Sequence, residues 1–166
     1  MLTLRDSEGN NPLVLACKGG MQECAEALLE ASADPNQKND AGKSALICAA
    51  EFGYTRCIER LVTAGGDLNA GDNMGYTPLM WASQNNQAVS VRCLLELGAD
   101  VNVKNDSGWT PLFDCATRRP EYIASTMTCA VAPVHPFRLL TTDRGRLKSA
   151  VAMKWRRQRT RPCSLA

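Results

Sequence analysis

The sequence predicts an all-α repeat solenoid, a row of stacked helix–turn–helix pairs joined by hairpin-like loops. Three observations lead there. Gly9, Gly42, Gly75 and Gly108 are each 33 residues apart, with no insertion between them. A fixed period of about 20 to 50 residues marks an array whose units stack on one another. A second stretch keeps the same register, as Ala33-Asp34-Pro35-Asn36, Gly66-Asp67-Leu68-Asn69 and Ala99-Asp100-Val101-Asn102. Helix-start residues also recur in phase: Asn11, Ser44, Thr77 and Thr110 each carry a side-chain oxygen that can accept from free backbone N–H groups of the next turn.

Each unit follows from these signals. Pro12, Pro78 and Pro111 stand at the first helical position, where no N–H is needed. The first helix is short and ends near Gly20 or Gly53. Asn86 takes that place in the third unit, and asparagine tolerates the left-handed conformation. A second helix is expected over 22–31, 55–64 and 88–97. Its apolar positions are Cys24, Ala25, Leu28 and Leu29, then Cys57, Ile58, Leu61 and Val62, then Val91, Leu94 and Leu95. These form one stripe at helical spacing. Gly65 and Gly98 close two of these helices, and an Asp-x-Asn turn leads to the next glycine. Helices this short do not persist alone in water, so each pair must bury its face against the next. Leu13, Leu46, Leu79 and Leu112 recur at one core position, and Ala16, Ala49 and Ala82 let facing helices approach.

The two motifs together, Gly75-Tyr76-Thr77-Pro78-Leu79-Met80-Trp81-Ala82 and Leu94-Leu95-Glu96-Leu97-Gly98-Ala99-Asp100-Val101-Asn102, resemble the ankyrin repeat. The expected division is a lead-in at 1–5, repeats at 6–38, 39–71 and 72–104, a partial repeat at 105–128, and an irregular basic tail at 129–166. The fourth repeat begins regularly but carries Asp114 at a usually apolar site and Arg119 where the helix-ending glycine belongs. Nothing precedes the first repeat to cap it, so an outer face including Val14, Leu15 and Cys17 is expected to be wet or covered by something outside this chain.

Charge divides the chain. Residues up to Thr128 carry a net −6, and those from Cys129 onward a net +8. The tail's basic run, Arg144 to Arg161, could attract an anionic partner such as nucleic acid or an anionic membrane; the alternative is a solvated, disordered tail. No apolar run approaches the roughly 18 residues of a membrane span, and the first residues show no signal-peptide pattern, which points to the cytoplasm or nucleus. The eight cysteines include no C-x-x-C pair and no zinc-spaced cluster. Most read as small buried hydrophobes. The lone His135 lies in the tail, and there is no phosphate-binding loop, so neither catalysis nor a cofactor is expected.

What remains is a surface. The resemblance implies a non-enzymatic protein–protein interaction module, a scaffold or adaptor that recognises its partner through hairpin tips and the exposed side of the first helices. Matching positions include Lys43, and among them Phe52, Met74, Tyr76 and Trp109 stand out, because aromatic residues and methionine are enriched in interface cores. Trp81, equivalent to Leu15 and Cys48, is expected to pack between repeats. Ile47, Met80 and Phe113 occupy the position where the family usually has histidine and are expected to add local apolar surface. The alternative functions are an accessory array of a larger enzyme or channel, and nucleic-acid or membrane attachment through the tail.

Overall fold

The computed structural model describes residues 4–113. Six helices follow in order: α1 (Pro12–Lys18), α2 (Gln22–Glu30), α3 (Ala45–Phe52), α4 (Thr55–Thr63), α5 (Pro78–Gln84) and α6 (Ala88–Glu96). A further helical turn opens at 111–113. The second helices are each one residue shorter than the sequence suggests, because Ala31, Ala64 and Leu97 act as C-caps. The fourth-repeat residues from Asp114 onward and the tail lie outside the described residues.

Packing is in two rows. α1 packs on α3 and α3 on α5, while α2 packs on α4 and α4 on α6; within each pair, α1 meets α2, α3 meets α4 and α5 meets α6. One contiguous core runs through the stack. Leu13, Leu46 and Leu79 are almost fully buried in it, beside Ala16, Ala49 and Ala82.

Local chemistry starts each first helix as the sequence implies. Asn11 Oδ1 accepts from Val14 N–H at 2.8 Å, and Ser44, Thr77 and Thr110 hydroxyls accept from Ile47, Met80 and Phe113 N–H at 3.3–3.4 Å. Each first helix is followed within two residues by a left-handed residue, Gly20 (φ 67), Gly53 (φ 87) or Asn86 (φ 60). At Gly20 a Cβ would strike the Tyr54 ring, and at Gly53 the Gln87 side chain, both in the following repeat. These glycines therefore serve close packing between repeats as well as helix termination.

Two polar ladders tie the repeats together at their turns. Asp34, Asp67 and Asp100 each accept from the N–H two residues on, at 2.8–2.9 Å. Asn36 and Asn69 Oδ1 accept from Asp67 and Asp100 N–H of the next repeat, at 2.9 Å. Basic side chains step the same way: Arg5 donates to the Lys38 carbonyl and Lys38 Nζ to the Gly71 carbonyl, each 33 residues on.

The end of the stack corrects one expectation. Val14 and Cys17 are buried, because α1 turns them against its neighbours. Leu15 is exposed as expected, and Met21 and Cys24 complete the exposed end face. In the next repeat Cys48 and Cys57, which match Leu15 and Cys24, are buried. Of the α2 side chains, only Ala25 is buried.

Candidate functional site

The hairpins set the geometry. Asp6, Asn39, Asp72 and Asn105 occupy one repeat position, and each presents Oδ1 to the N–H four residues on, at 2.9 Å. Those four receivers are Asn10, Lys43, Tyr76 and Trp109. Each hairpin is also closed by backbone bonds, as from Asp72 N–H to the Tyr76 carbonyl at 3.1 Å. Adjacent hairpins join through Asp40 N–H to Glu8 C=O, Asn73 N–H to Ala41 C=O and Asp106 N–H to Met74 C=O, at 3.1–3.2 Å. A side chain at this position is thus held by its own turn, and the turn is held by its neighbour. Lys43, Tyr76 and Trp109 form one column across three repeats.

Around that column the structure gathers a network. Lys43 Nζ lies 3.6 Å from the centroid of the Trp81 ring and 2.7 Å from Glu51 Oε2. Trp81 Nε1 donates to Asp72 Oδ2 at 2.9 Å, and the Tyr76 ring centroid is 5.9 Å from that of Trp81. Trp109 and Phe113 form a second tilted pair at 5.4 Å. Lys43 and Glu51 side chains are each 19% exposed, so this ion pair is shielded more than an ordinary surface pair. The cation–π contact holds the ammonium group against the ring.

Of the five side chains singled out by sequence, Lys43, Tyr76 and Trp109 share the column and are half-buried. Met74 sits at the hairpin tip and is 57% exposed. Phe52 ends α3, is 43% exposed and stacks on Tyr54 at 6.3 Å.

Trp81 packs between repeats, against Lys43 of the preceding one, but is not enclosed in the core. It is half-buried and carries the Lys43 and Asp72 contacts. Its indole is far larger than the Cys48 thiol at the same position one repeat earlier, and the ring lies under the Lys43 ammonium group with its N–H satisfied by the Asp72 carboxylate. Ile47 and Met80 depart from expectation in the other direction: both are fully buried and add no surface, whereas Phe113 is half-buried. Asp72 was not singled out by sequence. Its signal was legible, since it falls on the Asp6/Asn39/Asn105 position and a tryptophan follows it nine residues later.

Among the described residues the buried cysteines offer no reactive centre. Cys17, Cys48, Cys57 and Cys93 are buried, and only Cys24 is exposed among the described residues. Burial pushes the Cys17 thiol well above its usual range and the Cys48 thiol up to about 11. Such thiols stay protonated and unreactive at neutral pH. Among the described residues no three His, Cys, Asp or Glu side chains are placed to hold a metal ion, and no helix is long and apolar enough to cross a membrane.

Comparison with known proteins agrees with the repeat geometry. The family description "Ankyrin repeats (3 copies)" matches residues 13–105 and 68–128. None of the curated proteins matches the chain.

Proposed function

Because the chain belongs to the ankyrin repeat family, whose arrays are generally protein–protein interaction modules and typically non-catalytic, we propose that it is a non-enzymatic scaffold or adaptor. Its recognition surface is the groove lined by Lys43, Phe52, Met74, Tyr76 and Trp109, with Trp81 at its floor. One observation carries the reading. Trp81 is clamped between a cation, a carboxylate and a second ring in one half-exposed cluster spanning two repeats. Aromatic groups fixed in place lose little conformational entropy when a partner docks, and such residues dominate binding energy at interfaces.

The experiment is affinity capture by the full chain, followed by titration of each identified partner. Met74→Ser is the cleanest variant, since its side chain has little packing to lose. Tyr76→Ala with Trp109→Ala tests the column, at an expected stability cost of about 1 kcal/mol for each disrupted ring pair. We expect both variants to lose at least tenfold in affinity. Unchanged affinity in the folded variants would place recognition elsewhere. The basic segment Arg144–Arg161 supports a second, separate attachment to an anionic partner. Such attachment would weaken steeply with salt and disappear on deletion of 129–166.

A further inference from the structure

We propose that the end face of the stack, formed by Leu15, Met21 and Cys24, is a second docking surface, and that its occupant is a helix–turn–helix repeat of this same 33-residue type carried by a partner protein. The surface uses none of the groove residues.

The first observation is apolar. An array's end ordinarily carries a polar outer face, which keeps the stack soluble. Here Leu15 is 40% and Met21 50% exposed. Cys24 is exposed and lines one hollow with Met21 and Arg56. The register shows what such positions touch inside the stack. The Cys24 position holds Cys57 and then Ser90, and the Leu28 position holds Leu61 and then Leu94. All four are buried, with α2 packed on α4 and α4 on α6. Cys48, at the Leu15 position, is buried in the repeat whose α3 packs on α1. The Met21 position holds Tyr54 and then Gln87, and each lies over the helix-ending glycine of the repeat before, Gly20 or Gly53. Inside the stack, a preceding repeat covers these positions.

The second observation is polar. Asp40, Asn73 and Asp106 N–H each donate to a carbonyl of the preceding hairpin, at 3.1–3.2 Å. Asp67 and Asp100 N–H each donate to an asparagine Oδ1 of the preceding repeat, at 2.9 Å. In the first repeat the same two positions are Ser7 and Asp34. Both are exposed, and neither N–H has a protein partner among the described residues. The end face therefore carries, in register, the apolar positions and the backbone donors by which the later repeats hold the one before. Its complement is specified: a helix-ending glycine beneath Met21, an asparagine for Asp34 N–H, and a hairpin carbonyl for Ser7 N–H. This chain's fourth repeat does not supply it, because the period places Arg119 at the glycine position and His135 at the asparagine position. A second copy is thus a poor match, and the partner is a repeat that keeps both residues.

Two experiments test it. In the first, a copy of 39–71, which carries Gly53 and Asn69, is inserted directly before Asp6 of the full chain, in register. Alkylation of Cys24 and amide exchange of α2 should each slow about tenfold or more. In the second, a separate protein of three tandem copies of 39–71, its folding checked by circular dichroism, is titrated into the full chain by calorimetry. We expect binding, and about a tenfold loss of affinity in Leu15→Glu/Cys24→Glu. A similar loss should follow when the helix-ending glycine of the probe's last copy becomes arginine. Tyr76→Ala/Trp109→Ala should bind as the wild type does, which separates this face from the groove. An inserted repeat that leaves Cys24 as reactive and α2 as exchangeable as before would overturn the proposal, whether or not the probe folds. Absence of binding by the folded probe, or binding indifferent to Leu15 and Cys24, would overturn it too. So would a dimer of the chain alone that Leu15→Glu breaks, since that gives the face to a second copy.

Discussion

At the scale of the residue, exposure and charge neighbours decide what each side chain does. The five cysteines within the described array look alike in sequence, yet their reactivities should separate. Burial raises the thiol pKa of Cys17, Cys48, Cys57 and Cys93. Alkylation of the native chain at pH 8, read by peptide mapping, should modify Cys24 first and the other four only on unfolding. Modification of Cys48 at the rate of Cys24 would mean that the core is open. Gly42 makes a second residue-level case. It sits at φ 75, and a Cβ there would strike the Asn73 side chain of the next hairpin. Gly42→Ala should therefore cost more than the roughly 1–2 kcal/mol of a left-handed alanine alone, read as a lowered denaturant midpoint. Gly65 is also left-handed but has open space around it, so Gly65→Ala should cost only the backbone share.

At the scale of the element, each hairpin is braced by the side chain at its Asp6, Asn39, Asp72 or Asn105 position. In the first, Asp6 receives the Asn10 side-chain amide at 2.8 Å and two backbone N–H groups at 2.9 Å. The Asn10 amide above all holds the Asp6 carboxyl below its ordinary value of 3.8. A carboxylate whose pKa is depressed by folding contributes stability above its unfolded pKa and loses it as pH falls through the folded value. The first hairpin should therefore loosen below about pH 4, seen as faster amide exchange at Glu8 and Asn10. Asp6→Asn should flatten that dependence. A variant with an unchanged pH profile would assign the dependence to another group.

At the scale of the molecule, stability in a stacked array is a sum over neighbouring interfaces. α4 buries Cys57, Ile58 and Leu61, and α6 buries Ser90, Val91, Cys93 and Leu94, whereas α2 buries only Ala25. Amides of α2 should accordingly exchange before those of α3, which is flanked on both sides by α1 and α5. Equal protection of α2 and α3 would show that something covers the Leu15–Met21–Cys24 end face.

The sequence by itself determined what is periodic. Turn glycines, N-caps and the leucine and alanine core positions follow from local rules that repeat every 33 residues, so each repeat corroborates the others. It also marked Lys43, Tyr76 and Trp109 as one column, because equal register means equal place. Tertiary structure alone decided what fills a place when side-chain size changes. Trp81 shares a register with buried Cys48, but the indole is far larger than the thiol and lies against Lys43 and Asp72. Val14 and Cys17 stand at the end of the stack yet are buried, since the facing of a helix depends on which neighbours it has.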